Sequence, residues 1–198
     1  MAEGMLYLDE QIAALRRKER KKAFRSIEKG IYTGNTLRHF KELRIFEEKL
    51  SVMIPDTFGF MPPETAKYKY PSEFRPQVIL CDSTEQVNMT FSRLEEKSLS
   101  WEDLSHTMLD MQTGLKNVHP STLFFHNEIT RMEENPVPWM DFKSYGMDGT
   151  LYNFAFLWLV EGGMLLGMFN CPYRDRQEWK YLFEKVAETV KEPLTGRS

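Results

Sequence analysis

Cys171 is the residue of this chain whose position best fits nucleophilic chemistry. It lies shortly before the final predicted helix, and a helix N-terminus lowers the pKa of a nearby thiol. The same residue ends an apolar run at 164–171. Because cysteines are among the most frequently buried side chains, packing in the core is the interpretation we favour. A pocket near Cys171 is the alternative, and it would make the protein an enzyme or a small-ligand binder.

The other residues that could carry chemistry do not form a catalytic pattern. The glycine-bearing run at 162–167 enters a predicted strand, so it offers no helix N-terminus to a phosphate. The four histidines show no metal-ligand spacing; they are His39, His106, His119 and His126. We therefore predict no catalytic residue, no metal and no cofactor.

Aromatic residues near prolines are better candidates for a surface that binds a partner. Tyr68, Tyr70 and Arg75 fall in a proline-containing connection at 56–76. Trp139 follows two closely spaced prolines. Large amphipathic side chains on a stiffened connection are the kind of anchor that interfaces use. Ordinary packing at the edge of a sheet is the alternative for each of them.

A basic run at 16–22 is the third candidate surface. Six of its seven residues are cationic, including Arg16, Arg17 and Arg20. Such a run can attract an acidic partner or nucleic acid. Nucleic acid is the weaker alternative, because the run lacks the interleaved aromatic residues of single-strand binders. A solvated helix is the interpretation we favour, and a homodimer through this helix is a further candidate.

The overall composition is that of one globular domain with an accessory segment. The chain has 198 residues, of which 41% are hydrophobic, and a net charge of −3. The first residues do not resemble a secretory signal, and no run approaches the roughly 18 apolar residues that a membrane span needs. Two cysteines do not make a disulfide scaffold. We expect a cytoplasmic protein.

In the first half of the chain, apolar spacing predicts one helix, a β-segment and a hairpin. Residues 5–29 have a narrow helical stripe. Residues 43–54 predict a strand pair or one bent strand, and the connection at 56–76 is expected to have little regular structure. Residues 77–81 and 86–92 predict a hairpin whose second strand has one face partly in water.

In the second half, a helix and a sheet are predicted before the closing helix. Ser100 and Asp103 have the spacing of a capping box and predict a helix that ends by Pro120. Strands at 121–131 and 139–145 follow.

The closing segment carries the strongest structural signal. Residues 151–160 and 164–171 are apolar on both faces and are joined by a short glycine-bearing turn. This pattern predicts adjacent antiparallel strands covered on both faces. The final helix is predicted to start at Asp175, with Glu178 as its capping partner. Its predicted buried stripe comprises Trp179, Leu182, Phe183, Val186 and Val190.

Three groups of residues carry a resemblance to a known family. They are KLSVMIP at 49–55, KYP at 69–71 followed by Arg75-Pro76, and the closing block in which a polar strand, an aromatic strand, an apolar strand and a Trp179-bearing helix follow one another. In this order of elements, residues 43–191 resemble the PsbP-like and DcrB-like proteins.

The resemblance implies an α+β fold, an α/β/α sandwich whose central antiparallel sheet is flanked by helices, with an N-terminal helical extension. It divides the chain into a basic N-terminal helix and linker at 1–35, a PsbP-like domain at 36–192 and a tail at 193–198. Members of this family are typically non-catalytic: photosystem accessory subunits, exported lipoproteins, a Ran-binding import factor and cytoplasmic adaptors.

Together these observations predict a non-enzymatic interaction module, an adaptor or chaperone-like protein of the bacterial cytoplasm that binds an unidentified protein or peptide. The pocket near Cys171 and nucleic-acid binding by the basic helix are the alternatives.

Overall fold

The computed structural model describes residues 11–12, 15, 19, 21–95, 99–132, 135–146 and 149–192. Three helices lie in the described part of the chain beyond residue 24: α1 Pro63–Lys69, α2 Trp101–Val118 and α3 Arg176–Ala187. The strands are β1 Arg25–Ser26, β2 Gly30–Thr33, β3 Thr36–Arg38, β4 Phe40–Ile45, β5 Leu50–Pro55, β6 Gly59–Phe60, β7 Val78–Cys81, β8 Asn88–Glu95, β9 Leu123–Met132, β10 Asn135–Gly146, β11 Gly149–Val160 and β12 Gly163–Pro172.

The main sheet is antiparallel and has seven strands in the order β6-β7-β8-β12-β11-β10-β9. The adjacent apolar strands β11 and β12 lie near its centre, as the sequence predicts. Helix α2 packs on one face, where Leu104 and Met108 meet Met140 and Ala155. Helix α3 packs on the other face. The predicted cover on both faces and the mixed α+β class are therefore confirmed.

The core on the α3 side is the larger one. The predicted stripe is buried as a set, although Val190 lies beyond the end of α3 at Ala187. Phe183 contacts Phe169 and stacks on Tyr152, with ring centroids 5.5 and 6.3 Å apart. Full burial of such a side chain contributes roughly 1.5–3 kcal/mol, so the stripe holds α3 on the sheet. Two small sheets, β1-β2-β3 and β4-β5, complete this layer.

The N-terminal part differs from the predicted helix at 5–29. The helical residues described there end at Lys22–Ala23, and β1 begins at Arg25. Tertiary contacts override the local helical pattern: the Tyr181 hydroxyl donates to the carbonyl of Arg25, and Ile27 packs against the core. The predicted boundary at residue 35 falls within the turn between β2 and β3.

Two further sequence expectations need correction. The connection at 56–76 is more regular than predicted, because it contains β6 and α1. Strand β8 is buried on both faces at its start, where Asn88 and Thr90 were expected to face water. Residues 43–54, in contrast, form the predicted strand pair.

The two predicted helix caps have different outcomes. Ser100 and Asp103 form the predicted capping box at the start of α2. The predicted pair at the start of α3 is wrong: Asp175 makes no side-chain cap and ends a short 3₁₀ turn, Tyr173–Asp175. Glu178 instead points towards the β2–β3 turn, where a Cβ added to Gly34 would lie 2.7 Å from its Oε2 atom.

Candidate functional site

The aromatic connection, which we define as residues 56–76, is held firmly on the sheet. Pro63 is the first residue of α1, where its missing N–H costs no hydrogen bond. Ala66 and Tyr70 pack against a small cluster of buried residues, Met61, Ile79 and Cys81. The opposite side of α1 is exposed and includes Tyr68. The connection is therefore an ordered surface and not a loose loop.

A groove lies beside this connection, and we call it the asparagine groove. It lies between the end of α1, the adjoining ends of β10 and β11 at Gly146 and Gly149, and the start of the 3₁₀ turn, with a volume of about 970 Å³. Its described lining is Tyr68, Lys69, Tyr70, Gln86, Asn88, Gly146, Gly149, Thr150, Leu151, Asn153, Met168, Asn170, Pro172, Tyr173 and Arg174. The groove thus combines the predicted Tyr68 and Tyr70 with polar residues from three strands.

Three asparagines form a row across the floor of the groove. The register pairs Asn88 of β8 with Asn170 of β12, and Asn170 with Asn153 of β11. Residues directly opposite in antiparallel strands project from the same face, so the three side chains stand side by side. Asn88 Nδ2 donates to Asn170 Oδ1 at 2.9 Å. Asn153 Nδ2 donates to the Ser144 hydroxyl at 2.8 Å.

One oxygen in this row has no partner. Within the residues that the structure describes, Oδ1 of Asn88 accepts no hydrogen bond, although Asn88 is only 5% exposed. An unpaired buried acceptor costs roughly 1–3 kcal/mol, which is why such atoms are rare in folded proteins. The atom itself has almost no accessible surface, so a molecule lying in the groove does not reach it while these side chains keep their positions.

Tyr70 connects the row to the aromatic connection. Its hydroxyl lies near the side chain of Asn170. Burial raises the pKa of Tyr70 above its usual value, and the polar side chain of Asn170 offsets this only in part. Tyr70 is therefore a neutral wall of the groove under ordinary conditions.

The rim of the groove is positively charged. Lys69 lies at one end and donates to the carbonyl of Glu85. Arg174 lies at the other end and is 3.7 Å from Asp175. Among the described residues that line the groove, none is acidic. The charge of these two cations is offset in part by acids just outside the lining, because Asp175 pairs with Arg174 and Glu85 lies beside Lys69.

The other predicted partner-binding residues do not join this groove. Arg75 is exposed on the aromatic connection. Trp139 is not on a connection: it lies inside β10, is 6% exposed and stacks on Phe154 at 5.2 Å. Its role as a surface anchor is therefore wrong. The predicted Arg16, Arg17 and Arg20 lie outside the described residues.

A second polar cluster lies under α3, on the neighbouring strands β9, β10 and β11. Asp141 of β10 is fully buried, and its Oδ1 accepts from the backbone N–H of His126 at 2.9 Å and lies 2.8 Å from the Nδ1 of that ring. Oδ2 accepts from the Tyr152 hydroxyl at 3.0 Å and from Lys180 at 3.1 Å. A bulge between Asp141 and Phe142 shifts the β9 register at this point.

The Asp141 cluster has the residue types of a catalytic site, but its geometry favours a structural role. Both carboxylate oxygens are occupied by protein donors, as a buried charge requires. Burial and the neighbouring Asp141 also raise the pKa of Tyr152 far above its usual range, so that hydroxyl remains a hydrogen-bond donor. The cluster joins α3 to strands β9, β10 and β11.

Cys171 is part of the main core. It is fully buried, and burial raises its pKa well above the usual thiol value. A thiol in this state is a poor nucleophile. Cys81 is also free and buried, but it belongs to a separate cluster under α1. The packing interpretation of Cys171 fits this placement.

The described residues contain no group of three or more His, Cys, Asp or Glu side chains arranged to hold a metal ion. Also among the described residues, no helix combines the length and the hydropathy that crossing a bilayer requires.

Sequence reasoning missed the asparagine row and Asp141. The alternating pattern of 86–92 predicts that Asn88 faces water. Asn153 and Asn170 interrupt otherwise apolar strands, and this interruption was the available signal. Asp141 lies between Met140 and Phe142 in a strand that the sequence pattern predicts to be polar, so nothing in that pattern indicates its burial.

Comparison with known proteins shows the fold alone. No protein-family model and no curated protein matches the chain. Among solved structures, cyanobacterial PsbP (CyanoP) from Synechocystis sp. PCC 6803 is similar with a TM-score of 0.59 and 10% identity, covering 82% of this chain and 98% of that one. The Saccharomyces cerevisiae Ran-binding protein Mog1p has a TM-score of 0.52 and 10% identity, with 78% and 96% covered. The predicted resemblance to PsbP-like proteins is confirmed at the level of the fold.

Proposed function

We propose that this protein is a non-enzymatic interaction module, an adaptor or chaperone-like protein of the bacterial cytoplasm that binds another protein through the aromatic connection. The observation that carries the proposal is the exposure of large aromatic side chains on an ordered segment. Phe60 is 66% exposed, Tyr68 65% and Phe74 94%.

This exposure has a physical consequence. Burial of apolar surface contributes roughly 25 cal/mol per Å², and exposed side chains do not have this contribution. A partner that covers them supplies it as binding free energy. Tyrosine, phenylalanine and arginine are the residues that dominate interface cores, and Arg75 lies next to Phe74. Because α1 already has a fixed place on the sheet, binding need not order the segment.

Two further observations support a binding role. The Asp141 cluster is saturated by protein donors, and Cys171 is buried with a raised pKa, so the catalytic alternative loses the residue on which it depended. The Mog1p structure, which has the same fold, is that of a Ran-binding protein. Fold likeness does not transfer a partner, so the partner must be argued from the surface.

The experiment compares two double variants of the full-length chain. Tyr68→Ala/Phe74→Ala truncates the proposed surface. Leu109→Ala/Val118→Ala is the matched control, because these side chains are also exposed but lie on α2. Proteins retained by the wild-type chain from a native extract are identified, purified and titrated against each variant.

We expect at least one purified partner to bind the wild type and the control equally, and the Tyr68/Phe74 variant at least tenfold more weakly. Hot-spot aromatic side chains contribute about 1–2 kcal/mol or more each, which converts to that factor. Equal binding by both variants would show that the partner does not bind through the aromatic connection. The absence of any stoichiometric partner would contradict the proposal as a whole.

A further inference from the structure

Strand β9 forms one outer edge of the main sheet. It has ten residues and, among the described strands, pairs only with β10, whereas β6 at the opposite edge has two residues. The outer edge of a strand presents N–H and C=O groups to which another strand can bind, and natural proteins usually block such edges with lysine, proline or a bulge. The sequence of β9, LFFHNEITRM, contains neither lysine nor proline.

A bulge interrupts only the start of β9. The register shifts between Asp141 and Phe142 of β10, and Phe125 has no paired residue there. From His126 to Met132 the pairing with β10 is continuous. Beyond the bulge, β9 is therefore a regular edge strand without any of the usual blocking devices.

Two prolines of β10 show which backbone groups of β9 point outwards. Pro138 lies opposite Ile129, and Pro136 lies opposite Arg131. Because proline has no N–H, neither pair can exchange hydrogen bonds. In an antiparallel ladder the residues of such pairs direct their backbone groups away from each other, so those of Ile129 and Arg131 point away from β10.

The alternation of the ladder extends this assignment to the rest of the regular stretch. Asn127 belongs to the outward set, since it lies two residues before Ile129 without a bulge between them. His126 belongs to the other set, and its N–H does point towards β10, where it donates to Oδ1 of Asp141 at 2.9 Å. The outward set after the bulge is thus Asn127, Ile129 and Arg131.

We propose that this edge pairs antiparallel with the same edge of a second copy of the chain, so that the two main sheets form one continuous sheet. Ile129 lies on the two-fold axis and faces Ile129 of the second copy, while Asn127 faces Arg131. Each of these pairs exchanges two backbone hydrogen bonds. The inference goes beyond the proposed function and is independent of it, because β6 of the aromatic connection lies at the opposite end of the sheet.

The charges and the outward set favour this register over its neighbours. A register centred on Glu128 places that carboxylate opposite its own copy, and like charges directly opposite each other destabilise a sheet. A register centred on Thr130 leaves Asn127 without a partner in the second β9. With Ile129 on the axis, Glu128 faces Thr130, and every outward residue is paired.

A second copy is the occupant that closes this edge. Pairing of a strand with itself is isologous, so both β9 edges are used and no new edge is formed. A single strand added from another protein would present its own outer edge to water. Growth stops at two copies, because β6 at the opposite edge offers only two residues.

The test is sedimentation velocity of the purified full-length protein over a range of micromolar concentrations. Ile129→Pro and Arg131→Pro each remove an outward N–H, a change that an edge strand tolerates because the bonds to β10 remain. Ile129→Val and Arg131→Gln are the matched controls, because each retains its N–H. Thermal unfolding of each variant shows whether the fold is kept.

We expect the wild type to dimerise in this range and both controls to have a dimer Kd within about twofold of it. Each proline variant should raise the Kd by about tenfold or more, since the symmetry removes two hydrogen bonds from the dimer. A wild type that is monomeric throughout, or a dimer whose Kd the proline variants leave unchanged, would overturn the inference.

Cysteine cross-linking tests the same pairing without changing the backbone, and it decides the question if the proline variants do not fold. Ile129→Cys places two thiols directly opposite each other, where the Cα atoms of a hydrogen-bonded pair are about 5.5 Å apart, within the range of a disulfide. Leu109→Cys on α2 is the exposed control. We expect covalent dimers from Ile129→Cys under mild oxidation and none from Leu109→Cys. Equal yields from both, or none from Ile129→Cys, would contradict the pairing of β9.

Discussion

The Nζ atom of Lys180 lies 3.1 Å from Oδ2 of Asp141, a carboxylate with no exposed surface. Lys180 belongs to α3 and Asp141 to β10, so this pair joins the helix to the sheet. The guanidinium of Arg176 is a second cation at 3.9 Å. A buried carboxylate is stable only when such partners compensate for its lost hydration.

Replacing Asp141 with alanine is expected to lower the free energy of unfolding by about 3 kcal/mol, because Lys180 and the Tyr152 hydroxyl lose their buried acceptor. The exposed Asp110 on α2 supplies the control variant, Asp110→Ala, with an expected change below about 0.5 kcal/mol. Urea unfolding of both proteins measures the difference. If Asp141→Ala is as stable as the control, the structural role of the cluster is wrong.

A glycine at the centre of the sheet gives a second prediction. Gly167 of β12 lies directly opposite Phe156 of β11, and a Cβ on Gly167 would be 2.1 Å from Cε1 of that ring. Gly167→Ala should therefore destabilise the protein by several kcal/mol, on the order of 3, through displacement of a buried ring. Gly114→Ala has open space within α2 and should stabilise by about 0.5–1 kcal/mol.

These two glycine variants are compared by thermal unfolding. Opposite signs of the change in Tm support the packing of β11 against β12. A neutral Gly167→Ala would show that the ring of Phe156 does not occupy the space above Gly167.

Raised pKa values predict a loss of stability at alkaline pH. Burial raises the pKa of Cys171, and burial together with Asp141 raises that of Tyr152. Above about pH 8.5 for cysteine and about pH 10 for tyrosine, the unfolded chain releases protons that the folded chain retains. The unfolded state then binds fewer protons, so the free energy of unfolding falls by up to about 1.4 kcal/mol per pH unit for each group.

The Cys171→Ala variant isolates the first part of this effect. Between pH 8.5 and 10, stability should fall less steeply in this variant than in the wild type. Tyr145→Phe changes an exposed tyrosine and is the control. Parallel pH profiles for wild type and Cys171→Ala, measured by urea unfolding, would show that the thiol titrates equally in both states.

Glu184 gives a prediction with its window at lower pH. Burial raises its pKa, Lys180 lowers it in part, and Asp141 and Glu188 raise it further. Below its ordinary pKa of about 4.3 the carboxyl is protonated in both the folded and the unfolded state. As pH rises from there through the raised pKa, the unfolded chain ionises first while the folded chain retains its proton, so Glu184 lowers the free energy of unfolding of the wild type. Glu184→Gln should therefore gain stability relative to wild type between pH 4 and pH 7.

The measurement is the difference in unfolding free energy between Glu184→Gln and wild type at those two pH values. Glu95→Gln, at an exposed position on β8, is the reference variant. A difference that is larger at pH 4 than at pH 7 would contradict the assigned burial of Glu184.

The closing strands and α3 were predictable because their signal is local. Each stripe or apolar run lies within about twelve consecutive residues, where periodicity identifies the buried face. The same holds for the capping box of Ser100 and Asp103, which the structure confirms.

The asparagine row was not predictable in this way. Asn88, Asn153 and Asn170 come from three strands, and only the register of β8, β12 and β11 brings them together. Their burial also depends on α1, a short helix that the sequence pattern of the connection did not indicate. Non-local pairing decides such a site, and no single stretch of sequence contains it.

Trp139 shows a different kind of failure. Two prolines before it indicated a connection, since proline removes a donor from a sheet. In the structure β10 pairs with β11 only from Trp139 onwards. Pro136 and Pro138 come before that point, where β10 pairs with β9 alone. The strand therefore accommodates both prolines.

The most direct test of the proposed partner surface is site-specific photo-crosslinking with the purified partner. A benzophenone amino acid is placed at position 68 or 74 on the aromatic connection, and at position 118 on α2 as the exposed control. We predict a one-to-one crosslinked product from positions 68 and 74 and none from 118. A product from 118 with none from 68 or 74 would contradict the claim that this protein binds its partner through the aromatic connection.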